Sequence, residues 1–277
     1  HVSQPALSQT VGMLERRLGV KLLVRSSAGV QPTEAGMTLL AEARAVLARH
    51  DQVLRTMAAY TSGDGGVLRV GVPIELPSDL LGPPLERLAV AHPGTRVQAR
   101  HLSTAAQLTA LQAGELDVGL LRERPAGHEF DAMLVSRERL GVLLTAERAA
   151  ELRGPDGIRL EELTGLEWVG FPRSGSPAWF DELTAILRSH GLDLGPAAPE
   201  GQELIAEVKL AAVSAGRAFA LAPPRWPQPL PAAVAWSALA GHPLIRRTWA
   251  VWPATSRRHD LAGFVAGFRD PADDRPG

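Results

Sequence analysis

Cysteine is missing from all 277 residues. Its absence excludes a disulfide framework, a thiolate metal site and a cysteine nucleophile. No apolar run approaches the roughly 20 residues that span a bilayer, and no signal peptide is recognisable. Lysine is almost absent too: Lys21 and Lys209 stand alone amid abundant Ala, Arg, Gly and Pro, a bias we attribute to coding-sequence composition. Signatures of catalysis are equally scarce. The eight His are scattered, with no His-Glu-x-x-His and no paired ligand spacing, so no metal site is expected. No Gly-x-Gly-x-x-Gly or Walker-type loop follows a strand, which argues against a nucleotide cofactor. Ser174 and Ser176 lie in no Gly-x-Ser-x-Gly elbow, and Glu161-Glu162 reads as a solvated helix face. Neither an enzyme nor any cofactor is expected.

What is present is ordinary in bulk and specific in order. A hydrophobic content of 45% and a net charge of −1 describe an ordinary soluble globular protein, long enough for two domains or a pair of lobes. With no cysteine, membrane span or signal peptide, the cytoplasm is the expected location. Residues 1–60 carry seven bases (Arg16, Arg17, Lys21, Arg25, Arg44, Arg49, Arg55) against four acids (Glu15, Glu34, Glu42, Asp51), and the remainder is acidic. A mildly basic end on an acidic body fits a phosphate-contacting head.

That head opens on a helix. Ser3 is an N-cap, and Pro5 occupies the first turn, where a missing N–H costs nothing. Leu7, Val11, Leu14 and Leu18 form an apolar stripe, and Gly19 supplies the stop. The opposite face carries Pro5, Gln9, Gly12 and Arg16, flanked by Ala6 and Ser8, a small polar tip of the kind a major groove accepts. A second helix starts at Pro32-Thr33-Glu34-Ala35-Gly36, with Thr33 as its cap. No Pro interrupts it up to Tyr60, and Leu40, Leu47 and Leu54 recur every seven residues, as do Leu39, Val46 and Val53, with Ala43, His50 and Met57 alongside. Such a repeat requires a partner helix. At 1.5 Å per residue the helix is about 40 Å long, and we expect it to dimerise rather than pack on its own chain, with His50 as a seam residue.

Thr61 to Gly66 reads as a hinge. Beyond it strands and helices alternate, which predicts a parallel α/β sheet. Strands are expected at Val67–Pro73, Arg96–Leu102 and Val118–Leu121, with helices at Ser78–His92 (interrupted near Pro83-Pro84) and Thr104–Ala113. Leu140–Thr145 closes a first lobe. A second lobe comes next, with a short helix at Leu160–Leu163, a strand at Glu167–Phe171 and helices at Ala178–His190 and Glu203–Ser214. It ends with a strand at Ala218–Ala222 and a Pro-rich loop to Pro231. A strand at Arg246–Trp252, a helix at Arg258–Phe268 and a disordered tail after Asp270 complete the chain.

The ordered series Val2-Ser3-Gln4-Pro5-Ala6-Leu7-Ser8-Gln9 through Thr33-Glu34-Ala35-Gly36 resembles the recognition helix and wing of LysR-type transcriptional regulators. So do Leu68-Arg69-Val70-Gly71, His92-Pro93, the run Gly114 to Gly119 and the run Ala215 to Pro223. The resemblance covers residues 1 to 270. It implies a partial winged helix-turn-helix (1–32), a linker and dimerisation helix (33–61) and a two-lobed effector domain like a periplasmic binding protein (67–270), before a tail (271–277). Lobe I would comprise 67–145 and 246–270, lobe II 155–242, joined by two crossovers. In this family two helices and an aromatic-rich segment precede the recognition helix. Since His1 is not an initiator Met, the chain is expected to begin inside its DNA-binding domain.

The resemblance also implies partners: double-stranded operator DNA with an interrupted inverted repeat, a small-molecule effector, further copies of the chain as a dimer or tetramer, and RNA polymerase, with no membrane. Gln4, Pro5, Ala6, Ser8 and Gln9 would face the major groove. A Gln amide can pair with adenine, and Ala6 or Pro5 can lie against a thymine methyl. Arg25, on the wing, would hold phosphate or the minor groove.

The effector site comes from the fold rule that ligands sit beyond the carboxyl ends of parallel strands, near helix N-termini. This selects Pro73, Ile74, Glu75 and Ser78, then Ser103 and Thr104, then Arg173, Ser174, Gly175 and Ser176, then Gln202, with Pro223 at the last strand end. Ser103 and Thr104 also read as plain helix caps, and Ser174 to Ser176 as an ordinary turn. Arg173, and Arg122 if it faces inward, favour a small polar or aromatic acid. Glu75 opposes an anion unless a cation pairs with it, so an amine-bearing or neutral ligand is the alternative. Of the tryptophans only Trp179 is a candidate contact, and the others read as core or lobe-interface fillers. The competing reading of the chain is a dimeric ligand-sensing module without autonomous DNA binding.

Overall fold

Helix α1 (Gln4–Leu18) stops where the sequence predicts, because Gly19 takes a φ of +72° and returns its N–H to Glu15 O at 2.8 Å. The computed structural model describes residues 4–26, 29–62, 66–77, 79–195, 205–224 and 229–268, so the Ser3 cap and the tail lie outside the described residues. The chain divides into two compact units, the first formed mainly by residues 1–62 and the second by residues 63–111 and 116–277.

In the first unit the Glu15 carboxylate organises the turn out of α1. It accepts the Leu22 and Leu23 N–H groups at 2.9 and 3.3 Å and Lys21 Nζ at 2.7 Å. These bonds, with Lys21 foremost, lower its pKa to about 2. A hairpin comes next, β1 (Leu23–Ser26) antiparallel to β2 (Gly29–Pro32). Thr33 then caps α2 (Glu34–Ser62): its Oγ1 accepts the Gly36 N–H at 3.0 Å and donates to Lys21 O at 2.7 Å. Gly36 is required here, since a Cβ would lie 2.1 Å from Leu22 O. Little of this unit is buried. Leu7, Leu14 and Leu18 of the α1 stripe are exposed, and so are Leu40, Val46, Leu47, Val53, Leu54 and Met57 along α2.

The second unit contains two sheets. The first is built from β3 (Val67–Val72), β4 (Arg96–His101), β5 (Val118–Leu121), β6 (Phe130–Arg139) and β11 (Ile245–Pro253), in the order β4-β3-β5-β11-β6. Helices α3 (Gly82–Ala91), α4 (Thr104–Gln112) and α8 (His259–Ala266) belong to this lobe. The second sheet is built from β7 (Gly141–Thr145), β8 (Glu167–Trp168), β9 (Ala218–Ala222) and β10 (Val234–Ala238), in the order β10-β7-β9-β8, with α5 (Ala146–Glu151), α6 (Pro177–Ser189) and α7 (Ala206–Ser214). Leu68, Val70, Leu120, Leu261 and Phe264 centre the first core, while Val142, Leu144, Leu163, Leu187 and Phe219 centre the second.

Several expectations are corrected. The sheets are mixed rather than parallel: β11 runs antiparallel to β5 and β6, and β7 antiparallel to β9 and β10. The segment Leu140–Thr145 does not close the first lobe. It enters the second sheet as β7, so that lobe I ends near Arg139 and resumes at Ile245. The crossover is tight. Leu140 N–H donates to Leu244 O at 2.9 Å, and a Cβ on Gly141 would lie 2.3 Å from Ser237 O. Strands β6 and β10 have no counterpart among the expected elements. Both are edge strands, and Arg137, Glu138 and Arg139 hide the apolar pattern of β6, as charges on edges commonly do. Pro83 and Pro84 do not interrupt α3 but lie in its first turn, where no N–H bond is lost.

Candidate functional site

The carboxyl ends of β3, β4 and β5 face the turn before α6 across a cavity of about 370 Å³ between the two lobes. Pro73, Ile74, Glu75, Ser103, Thr104, Ser174, Gly175 and Ser176 all line it. Most of the remaining wall is apolar, including Leu102, Leu140, Trp168, Phe171, Trp179 and Leu183. Trp168, Phe171 and Phe180 pack as a triad with ring centroids 5.6 to 6.2 Å apart, which fixes one aromatic wall.

Other sequence candidates fall elsewhere. Ser78 and Gln202 lie outside the described residues, and so does the Arg25 side chain, although its backbone pairs with Val30 on the wing. Arg173 is exposed and does not line the cavity, because Asp181, on α6, captures it through Nε at 2.8 Å and Nη2 at 2.7 Å. Pro223 is buried past the end of β9 and is likewise absent from the lining. Gln4, Pro5, Ala6, Ser8 and Gln9 are all exposed on the first turns of α1.

The polar groups divide into caps and charges. Ser103 is the cap of α4, its Oγ accepting the Ala106 N–H at 3.2 Å. Thr104 is not a cap: it is buried, and its Oγ1 accepts the Arg122 N–H at 3.1 Å. Arg122 is buried beneath the α4 N-terminus and donates to Thr248 Oγ1 (2.6 Å), Ile74 O (2.8 Å) and Glu75 O (3.0 Å). Burial, then the charge of Arg246, pushes its pKa down, yet a guanidinium starts so far above neutrality that it stays charged. Ser176 precedes α6 but does not cap it. Its hydroxyl donates to Glu123 Oε2 at 3.3 Å, and the same oxygen accepts the Trp179 N–H at 3.0 Å. A carboxylate from the first lobe therefore caps a helix of the second.

Glu75 is the most heavily engaged residue in the cavity. It adopts a left-handed φ of +59°. One carboxylate oxygen accepts Lys209 Nζ, the other Arg246 Nη1 at 3.1 Å, and its carbonyl accepts Arg246 Nη2 at 3.0 Å. Burial alone would raise its pKa, but Lys209 and Arg246 outweigh burial and hold the carboxyl below its usual range. Glu138 takes the other side of Arg246 at 3.1 Å. Sequence reasoning misses Lys209, Arg246, Glu138 and Glu123. Lys209 leaves a trace, as a lone cation within the otherwise apolar run Val208 to Val213.

Among the described residues no cluster of His, Asp or Glu is placed to hold a metal ion, and no helix is long and apolar enough to cross a membrane. Two family descriptions match the chain: the LysR substrate binding domain over residues 61–270, and the bacterial regulatory helix-turn-helix protein of the lysR family over residues 1–37. An uncharacterised HTH-type transcriptional regulator of Escherichia coli K12, YnfL, is 25% identical over 97% of this chain and 88% of its own length. The regulator TcbR of Pseudomonas sp. P51 is 30% identical over 82% of this chain and 77% of its own. Among solved structures, full-length CbnR complexed with its target DNA has a TM-score of 0.67 and 26% identity, covering 97% of this chain and 90% of that one.

Proposed function

This chain belongs to the LysR family of transcriptional regulators, and from that premise we propose that the effector controlling it is a small acid seated in the interlobe cavity. A DNA-binding regulator governed by an effector needs a site that changes when the ligand arrives, and a cavity whose walls come from both lobes supplies one. The observation that carries the reading is Arg122 beside the N-terminus of α4, in a cavity that is otherwise mostly apolar. A guanidinium and a helix N-terminus both favour a carboxylate. The aromatic wall favours a ring behind it, and about 370 Å³ falls at the small end of ligand cavities.

Gln4, Pro5, Ala6, Ser8 and Gln9 are proposed to read base edges, with Arg25 on phosphate or the minor groove. CbnR, 26% identical and solved with its target DNA, supports DNA binding as the role of this unit. Operator binding as an oligomer, engagement of RNA polymerase and residence in the cytoplasm go with the same role.

Isothermal titration with benzoate and a panel of aliphatic acids tests the effector assignment. Thr104→Val removes the acceptor that seats Arg122 and is expected to weaken acid binding about tenfold, equivalent to about 1.4 kcal/mol. Arg173→Ala, which breaks only an exposed ion pair, is expected to leave it unchanged. Binding that ignored Thr104, or a preference for amines over acids, would overturn the proposal.

A further inference from the structure

Arg122, Lys209 and Arg246 all line the cavity; Glu138 holds one side of Arg246, and Glu75 accepts from both Arg246 and Lys209. Glu75, on the first lobe, gives one oxygen to Lys209 on α7 of the second lobe and the other to Arg246. Arg122 differs: its donors go to a hydroxyl and two carbonyls, and no carboxylate lies within 4.0 Å of it among the described residues. Glu75 also holds a left-handed backbone that non-glycine residues rarely adopt. Strain of this kind is typically retained where a side chain must be presented in one place.

We propose that Glu75 is the residue that sets ligand charge, acting as a built-in carboxylate that occupies Lys209 and Arg246 and leaves Arg122 with the α4 N-terminus for a monoanion. The inference rests on the acid-binding reading of the cavity. A second carboxylate on the ligand would have to displace Glu75 or sit beside it. The first breaks the link between lobes and the second places two like charges in a site of low dielectric. Without Glu75 the same two cations lose this carboxylate, and a dianion becomes the better match.

Titration of the full chain with benzoate and with phthalate tests the assignment on wild type, Glu75→Gln and Glu75→Asp. Wild type is expected to favour benzoate, Glu75→Gln to shift the benzoate-to-phthalate ratio at least about tenfold towards phthalate, and Glu75→Asp to keep the wild-type order. Lys209→Gln provides an independent arm should Glu75→Gln fold poorly. Removing a cation while Glu75 stays should weaken both anions and phthalate the more. An unchanged ratio in Glu75→Gln or in Lys209→Gln overturns the inference, and so does a Glu75→Asp variant that behaves like Gln. If both acids bind and the ratio stays fixed, only the role of Glu75 falls. If neither acid binds wild type or any variant, the acid-binding reading falls with it.

Discussion

Gly36 and Glu15 show how single atoms set the course of the first unit. The Leu22 carbonyl approaches Gly36 so closely that a Cβ would lie 2.1 Å away, and the obstacle is backbone, which cannot swing aside. Gly36→Ala is expected to cost about 1–3 kcal/mol, as overpacking generally does. Gly12→Ala is the control: it lies inside α1, where a Cβ meets only the Arg16 guanidinium at an ordinary contact distance of 3.6 Å, so a gain of about 0.5–1 kcal/mol is expected. Urea denaturation of both variants separates them by sign. Glu15 adds a pH dependence. Its folded carboxyl titrates near 2 instead of the usual 4.5, so its contribution is present above pH 4.5 and disappears as the pH falls towards 2. Melting curves of wild type and Glu15→Gln should therefore differ at pH 7 and converge in that acid window. A constant difference would mean that the carboxylate is not what holds the turn.

Helix α2 is the element with most left undone within its own chain. Its seven-residue repeat leaves Leu47 and Leu54 exposed at 63% and 57%, apolar groups that a neighbouring helix would cover. Leu47→Glu with Leu54→Glu should shift the mass from light scattering towards monomer, and an unchanged mass would assign self-association to another surface. Helix α6 presents the converse case, an element completed from outside. With Glu123 as its cap, Glu123→Ala is expected to destabilise the second unit by about 1 kcal/mol. The capping oxygen belongs to a residue 56 positions earlier, whereas the caps visible in the sequence, Thr33 and Ser103, act on N–H groups three residues away. Capping is legible when it is local and hidden when it crosses between lobes.

At the scale of the whole molecule the second unit depends on the chain returning to its first sheet after building the second. Asp117 secures that return. It is buried, accepts the Arg69 N–H at 2.8 Å, Arg69 Nε at 3.1 Å and Arg69 Nη2 at 2.9 Å, and pairs with Arg258 Nη1 at 3.1 Å, just before α8. Asp117→Ala leaves two arginines facing each other without their shared anion and is expected to cost about 3–5 kcal/mol in chemical denaturation. A change below about 1 kcal/mol, the level of an exposed pair, would show that the apolar packing of Leu261 and Phe264 holds α8 by itself.

The sequence by itself determined α1 and its glycine stop, the cap and length of α2, most strands of the second unit, and the cavity positions Pro73 to Glu75, Ser103, Thr104 and Ser174 to Ser176, while the wing was legible only through the family resemblance. Apart from the wing, each rests on signals that act within a few residues: caps, periodicity, and the rule that strand ends point at ligands. Tertiary structure alone decided the charge of the site. Glu75 lies 134 residues from Lys209 and 171 from Arg246, and no local pattern records which distant cation a buried carboxylate will meet. It also decided that Arg173 turns away to Asp181 and that Leu140–Thr145 joins the second sheet. An ion pair or a strand pairing is chosen by competition among partners that only the folded chain brings within reach.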